Sequence, residues 1–320
     1  MRGARAPAVV GALVAVLLLL TGCVSSPAGS AVPIGERTVR VTTTTNFITD
    51  TVSRIGGDRV QVTGLMGTGV DPHLYRASAD DVRLLREADV VLYGGLNLEG
   101  RMADLLADIA EQRPTRAVTD GIPRESLLAP PTANYEYDPH VWFDVTLWKH
   151  VARTVADTLG ELDPEHAEVY AANLESYLAE LTSLDAEVTE RIATIPPERR
   201  LLVTSHDAFA YFGRRYGMDV AGIQGISTAA EATTADIERI AQLVAERRVP
   251  AVFVETSVPR QTIEALVAAA ARRGAAVTVG EELYTDAAGP PGTPEGTYIG
   301  MLRHNVDAIV AGLAGPAGQG

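Results

Sequence analysis

Two identical triplets stand out among the residues able to do chemistry: Asp71-Pro72-His73 and Asp138-Pro139-His140. Proline fixes its own φ and restrains the residue before it, so each imidazole is expected on a stiff loop. Each aspartate is also placed to accept a hydrogen bond from the neighbouring ring and to orient it. A third imidazole, His206, follows the apolar run Leu201-Leu202-Val203, at the carboxyl end of a predicted strand, where open α/β sheets place their ligands. Asp286, beyond another predicted strand at 276–279, adds a carboxylate. Three neutral imidazoles and one carboxylate form a closed four-coordinate set of the kind zinc accepts. Glu255, directly after the predicted strand 251–254, could orient one of these groups from behind.

The other histidines have plainer surroundings. His150, close after Trp148 in a helical stretch, and His166, at the start of a long helix, are expected on the surface or in packing. His304, between Arg303 and Asn305, is expected to make a polar contact, at nearest from behind the ligands. A zinc-dependent hydrolase would also use three histidines, but it keeps one coordination position open for water. Asp286 would fill that position here, and the chain has neither an HExxH helix nor a G-x-S-x-G elbow.

Positioning these groups requires a framework, and the apolar periodicity supplies one. From Val39 the chain alternates short strands, at 60–65, 90–93 and 117–118, with helical stretches, which predicts a parallel sheet covered on both faces. The rhythm restarts after residue 198, with strands at 201–203, around Val220, at 251–254 and at 276–279. Helices are predicted between them at 208–216, 234–247 and 260–273. Between the two halves, Asp163-Pro164-Glu165 carries the cap, first-turn proline and first-turn acid of a helix start. Tyr170, Leu174, Tyr177, Leu178, Leu181, Leu184, Val188 and Ile192 then recur at helical spacing until Pro196-Pro197 ends the run. Such a helix is roughly 45 Å long, enough to run along two lobes. The expected fold is α/β, with two lobes at 37–162 and 196–314. Each has a parallel sheet flanked by helices, and one long rigid helix over 163–195 joins them. Two of the four candidate ligands then come from each side of the cleft.

The amino terminus has a separate purpose. Arg2 and Arg5 precede an apolar stretch at 8–20 that is too short to span a bilayer, which marks an export signal. It ends in Leu20-Thr21-Gly22-Cys23, and Cys23 is the only cysteine, so no intramolecular disulfide partner exists for it. This pattern resembles a bacterial lipobox, with residues 1–22 removed and lipid carried on Cys23. Residues 23–36, small and polar with Pro and Gly, suit a flexible tether. The protein is therefore expected on the extracytoplasmic face of the cell membrane. With 320 residues, 46% of them hydrophobic, the body is long enough for two lobes and apolar enough to bury a core. Its formal net charge of -14 opposes nucleic-acid binding and favours arriving cations.

Several stretches together resemble a known family, the zinc and manganese ABC-transporter solute-binding lipoproteins. They are Gly69 to Tyr75 (GVDPHLY), Gly95 to Glu99 (GLNLE), Asp138 to Asp144 (DPHVWFD), Thr204 to Phe212 (TSHDAFAYF), Gly222 to Ala232 (GIQGISTAAEA), Val252 to Ser257 (VFVETS) and Gly296 to Asp307 (GTYIGMLRHNVD). The likeness covers nearly all of the mature chain. It implies that His73, His140, His206 and Asp286 hold the metal, that Glu231 and Glu255 fall on family positions, and that the partner is an ABC permease in the membrane. The chain would act as a monomer and not as an enzyme. Family members regarded as manganese proteins have glutamate where this chain has His206, and three imidazoles suit zinc better than manganese. Against zinc, many zinc members carry a histidine-rich loop, whereas the corresponding stretch 129–137 has no histidine. Zinc is the favoured cargo, with manganese or dual binding as the alternative. A surface adhesin is a further role the same body could serve. Asp286 is expected to be the moving ligand, because the Ala, Gly and Pro of 287–294 offer little to a core.

Overall fold

The computed structural model describes residues 33–130 and 135–314, so the signal segment, Cys23 and most of the tether lie outside the described residues. The first sheet begins with β1 (Val39–Thr43), in which Arg40 is exposed and the other four side chains are buried. α1 (Asn46–Gly56) follows, then β2 (Val60–Gly64), α2 (Ala79–Glu87), β3 (Val90–Tyr93), α3 (Ala103–Ala110) and β4 (Thr115–Ala117). The strands run in the order β2-β1-β3-β4, all parallel. β4 lies two residues earlier than the apolar pair 117–118 suggests, since Thr115 and Arg116 carry the pairing while Val118 enters a short 3-10 turn.

α4 (Val145–Leu162) is capped by Asp144, whose side chain accepts from the Thr146 amide at 2.9 Å. The long helix α5 (Ala167–Ala193) has 27 residues, about 40 Å. It starts later than the sequence suggests. The Asp163 carboxylate accepts from Tyr170 Oη at 2.8 Å and from Arg59 at 3.2 Å, and it caps no first-turn amide. Pro164–His166 therefore forms a separate 3-10 turn ahead of α5. Of the expected stripe, Tyr170, Tyr177, Leu181, Leu184, Val188 and Ile192 are buried, while Leu174 and Leu178 are half-buried at its edge.

The second half contains β5 (Leu201–His206), α6 (Ala210–Tyr216), β6 (Asp219–Gln224), α7 (Thr234–Arg247), β7 (Ala251–Val252), α8 (Gln261–Ala271), β8 (Thr278–Val279) and α9 (Tyr298–Leu313). β5 pairs with β6 and β7 with β8, both in parallel. The Phe253 amide donates to Val203 O at 2.9 Å and joins the two pairs. All six residues of β5 are buried, as a strand covered on both faces requires.

The fold is thus α/β, with parallel sheets flanked by helices and one long helix. The lobes share a continuous core that runs from Val39 to Leu313 through α4 and α5. Trp148 of α4 stacks on Tyr298 of α9 with centroids 4.8 Å apart. One polar stripe of α1 also crosses to the second lobe. The Asn46 amide brackets the Ala288 backbone, accepting its N–H at 2.8 Å and donating to its carbonyl at 2.9 Å. One turn later Asp50 accepts from the Tyr298 amide at 3.0 Å, at the start of α9. The end of the expected tether is part of this body. Ile34–Glu36 is a 3-10 turn, Ile34 packs on the core, and Arg59 donates to Arg37 O at 2.9 Å just beyond it.

Candidate metal site

His140 is held by the aspartate of its own triplet. Asp138 Oδ1 accepts from the His140 amide at 2.9 Å and from ring Nδ1 at 2.7 Å, which selects the Nδ1–H tautomer of the neutral ring and turns Nε2 toward the other donors. His206 is the last residue of β5, and Glu255 grips it in the same way. One carboxylate oxygen accepts from the His206 amide at 2.9 Å and the other from Nδ1. Glu255 is itself fixed by a parallel bridge to Leu283. Gly222 of β6 leaves room for this arrangement, because a Cβ there would collide with the backbone of His206 and Asp207.

The first triplet behaves differently. Asp71 Oδ1 accepts from the His73 amide at 2.8 Å, but the ring Nδ1 of His73 is buried without a partner. The expected ring-orienting role of Asp71 is therefore not what the structure has. Its second oxygen is instead engaged by Thr228 Oγ1 of the opposite lobe, at 2.5 Å. Asp286 receives Ser257 Oγ on Oδ2 at 3.1 Å, while its Oδ1 has no hydrogen-bond partner.

These elements bring all four sequence-nominated groups to one point. His140 Nε2 lies 3.3 Å from His73 Nε2 and 3.4 Å from His206 Nε2. Asp286 Oδ1 is 3.6 Å from His140 Nε2 and 3.5 Å from His206 Nε2. The four ligand atoms lie within 4.8 Å of one another, and every one of the four residues is buried. The four donors converge closely enough to share one ion, with His140 Nε2 at the middle of the set and the widest spacing, up to 4.8 Å, left to close when an ion is bound.

In the metal-free site the electrostatics favour the ligating forms of His73 and Asp286 but favour a proton on His206, so the expected three neutral imidazoles are not all preset there. Burial pushes His73 down to about 3, with the other two imidazoles adding to the effect and Asp286 opposing it, so this ring is neutral. Burial also works against a charge on His206, but Glu255 and Asp286 outweigh it and hold that ring well above its ordinary value. For Asp286, burial favours the neutral acid, yet His206 and then the other imidazoles keep it below the usual carboxylate range.

The remaining candidates lie elsewhere. His166 Nδ1 meets Asp163 at 3.0 Å, and His304 Nε2 meets Glu282 O at 2.9 Å. His150 is half-buried on α4 and Glu231 is exposed. Sequence reasoning missed Ser257, Thr228 and Asn46, whose partners are far along the chain. Only Ser257, a hydroxyl in the turn that follows β7, had a local signal. The Asp286 segment also departs from expectation. Thr285, Ala287 and Ala288 are buried, Trp142 Nε1 donates to Thr285 O at 2.9 Å, and Asn46 brackets Ala288. Small side chains here enter the core instead of leaving the loop free.

Two parallel-sheet lobes with a long helix packed along both, and a donor cluster between them, define a binding protein of the periplasmic metal-binding class. The structure matches the periplasmic zinc-binding protein TroA from Treponema pallidum with a TM-score of 0.84 and 45% identity, covering 86% of this chain and 99% of that one. The chain belongs to the family described as zinc-uptake complex component A, periplasmic, whose model matches residues 41–312. It is 45% identical over 294 residues to the manganese-binding lipoprotein MntA of Bacillus subtilis (92% of this chain, 95% of the relative). It is 46% identical over 274 residues to the zinc-binding protein TroA of Treponema pallidum (86% and 88%). Proteins of this family are substrate-binding components of ABC transporters, and the chain is not an enzyme. No helix among the described residues is long and apolar enough to cross a membrane.

Proposed function

We propose that the chain captures one divalent transition-metal ion, zinc in preference to manganese, through His73, His140, His206 and Asp286, and delivers it to the permease of an ABC importer. The observation that carries this reading is the convergence of four buried donors, with His140 Nε2 3.3 and 3.4 Å from the Nε2 atoms of His73 and His206, close to the edge of a tetrahedral zinc site of roughly 3.3–3.4 Å. Three imidazoles to one carboxylate is also a softer set than manganese prefers. The identity to the manganese-binding lipoprotein MntA favours manganese as the second reading. Lipid on Cys23 anchors the body at the extracytoplasmic face, with lobes at 37–162 and 196–314 and a joining segment at 163–195. All four donors come from one chain, so a monomer suffices.

The test is metal analysis of the mature protein purified without added metal, followed by competition between zinc and manganese. One equivalent of tightly held zinc, displaced poorly by manganese, is expected. Loss of that equivalent on replacing all three histidines by alanine locates the site, whereas parental binding by the triple variant would move it elsewhere.

A further inference from the structure

The four donors are not held equally. His140 and His206 are each gripped at both the backbone amide and ring Nδ1 by a buried carboxylate. Asp286 is braced by Ser257 on one oxygen, and its flanks are tied down by Trp142 and Asn46. His73 lacks any partner for its ring Nδ1. Its backbone amide rests on Asp71, and the other oxygen of Asp71 is engaged across the cleft by Thr228. The surroundings point the same way. Leu74, the neighbour of His73, is 39% exposed, while Val141, Ser205, Thr285 and Ala287 beside the other donors are buried. The wall at His73 is therefore the thinnest side of the site, and a hydroxyl from the second lobe fastens it.

We propose that Thr228 is a positioning residue that latches the His73 loop across the cleft, and that the ion enters and leaves past His73 with Asp286 staying in place. This rests on the metal-capture reading above. With the hydroxyl bonded, Asp71 holds the 71–74 turn against the second lobe and keeps His73 Nε2 at bonding distance. Without it the turn is tied only to its own lobe and can swing outward, taking one of the four donors with it.

The experiment compares Thr228→Val, which keeps the shape and removes the hydroxyl, with Thr228→Ser, which keeps the hydroxyl, in the mature chain. Zinc release into excess chelator is expected to quicken by roughly ten- to a hundredfold in Thr228→Val, the effect of losing a hydrogen bond to a charged group. Thr228→Ser should release at the parental rate, and both variants should still bind one zinc. Hydrogen exchange of the metal-free proteins is expected to rise at residues 69–75 in Thr228→Val and to stay unchanged at 285–289. A parental release rate in Thr228→Val, or a Thr228→Ser variant as fast as Thr228→Val, overturns the latch. Faster exchange at 285–289 with none at 69–75 assigns the moving side to Asp286 and also overturns it. If the parent takes up no zinc, the proposed cargo falls. The exchange arm, run without metal, still decides the latch, because unchanged exchange at 69–75 would refute it.

Discussion

Glu255→Gln changes one atom at the back of the site, and its effect can be worked out from the hydrogen bonds. Both Glu255 oxygens accept, one from the His206 amide and one from Nδ1 of the ring. Glutamine offers a single oxygen, so its NH2 must face one of these two donors. The backbone N–H cannot change, whereas the ring can exchange its tautomer. The favoured arrangement therefore gives the oxygen to the amide and sets the NH2 against Nδ1, which must then accept. That moves the ring proton to Nε2, the atom 3.4 Å from His140 Nε2 and 3.5 Å from Asp286 Oδ1. A protonated Nε2 cannot ligate. In the parent, burial opposes a charge on His206 but Glu255 and Asp286 raise its pKa, so an arriving ion displaces the Nε2 proton and leaves Nδ1–H on Glu255; in the variant the same displacement would leave Nδ1–H facing the glutamine NH2. Loss of such a supporting group typically weakens metal affinity 10–100-fold, about 1.4–2.7 kcal/mol. Competition against a chromogenic zinc chelator at neutral pH measures it, and nitrogen-detected NMR of the imidazoles reports which ring nitrogen carries hydrogen in the metal-free protein. Affinity within twofold of the parent would refute the argument. So would a large loss with the proton still on Nδ1, since the damage would then have another cause.

Two other substitutions test how the framework holds the site. Asn46→Ala removes both hydrogen bonds that bracket Ala288 and is expected to lower metal-free stability by about 1–3 kcal/mol in urea denaturation. An unchanged midpoint would mean that the Asp286 segment is held by packing alone. Asp89 is partly buried, which opposes its ionisation, but Arg37, Arg40 and the Arg40 amide hold its pKa well below the ordinary carboxylate range. A depressed native pKa contributes stability that is full above the unfolded-state value of about 3.9 and is lost as pH falls through the native value. Asp89→Asn should therefore melt lower than the parent at pH 7, with the gap closing in strong acid. A gap that is constant with pH would show that the carboxylate charge contributes nothing.

What the sequence revealed and what it withheld divide along the range of the interactions. The three imidazoles could be read because each sits at a local signal, a proline-stiffened loop or the end of a strand, while Asp286 lies seven residues beyond β8, and the structure brings those four side chains together. The stripe of α5 could be read because burial on a helix repeats with its own period. The two Asp-Pro-His triplets show where local reading stops. Both aspartates accept from the amide of the histidine two residues on, as the turn dictates, yet only Asp138 also reaches the ring. Ring direction depends on what lies across the cleft, and Thr228 is 157 positions from Asp71. The Asp286 segment misled for a related reason. Alanine and glycine look like poor core material when counted residue by residue, but their small size lets Ala287 and Ala288 slide beneath Asn46, 242 positions earlier than Ala288. Composition registers how much apolar surface a segment offers and not how closely its backbone can approach another, and that approach is what fixes Asp286 between the lobes.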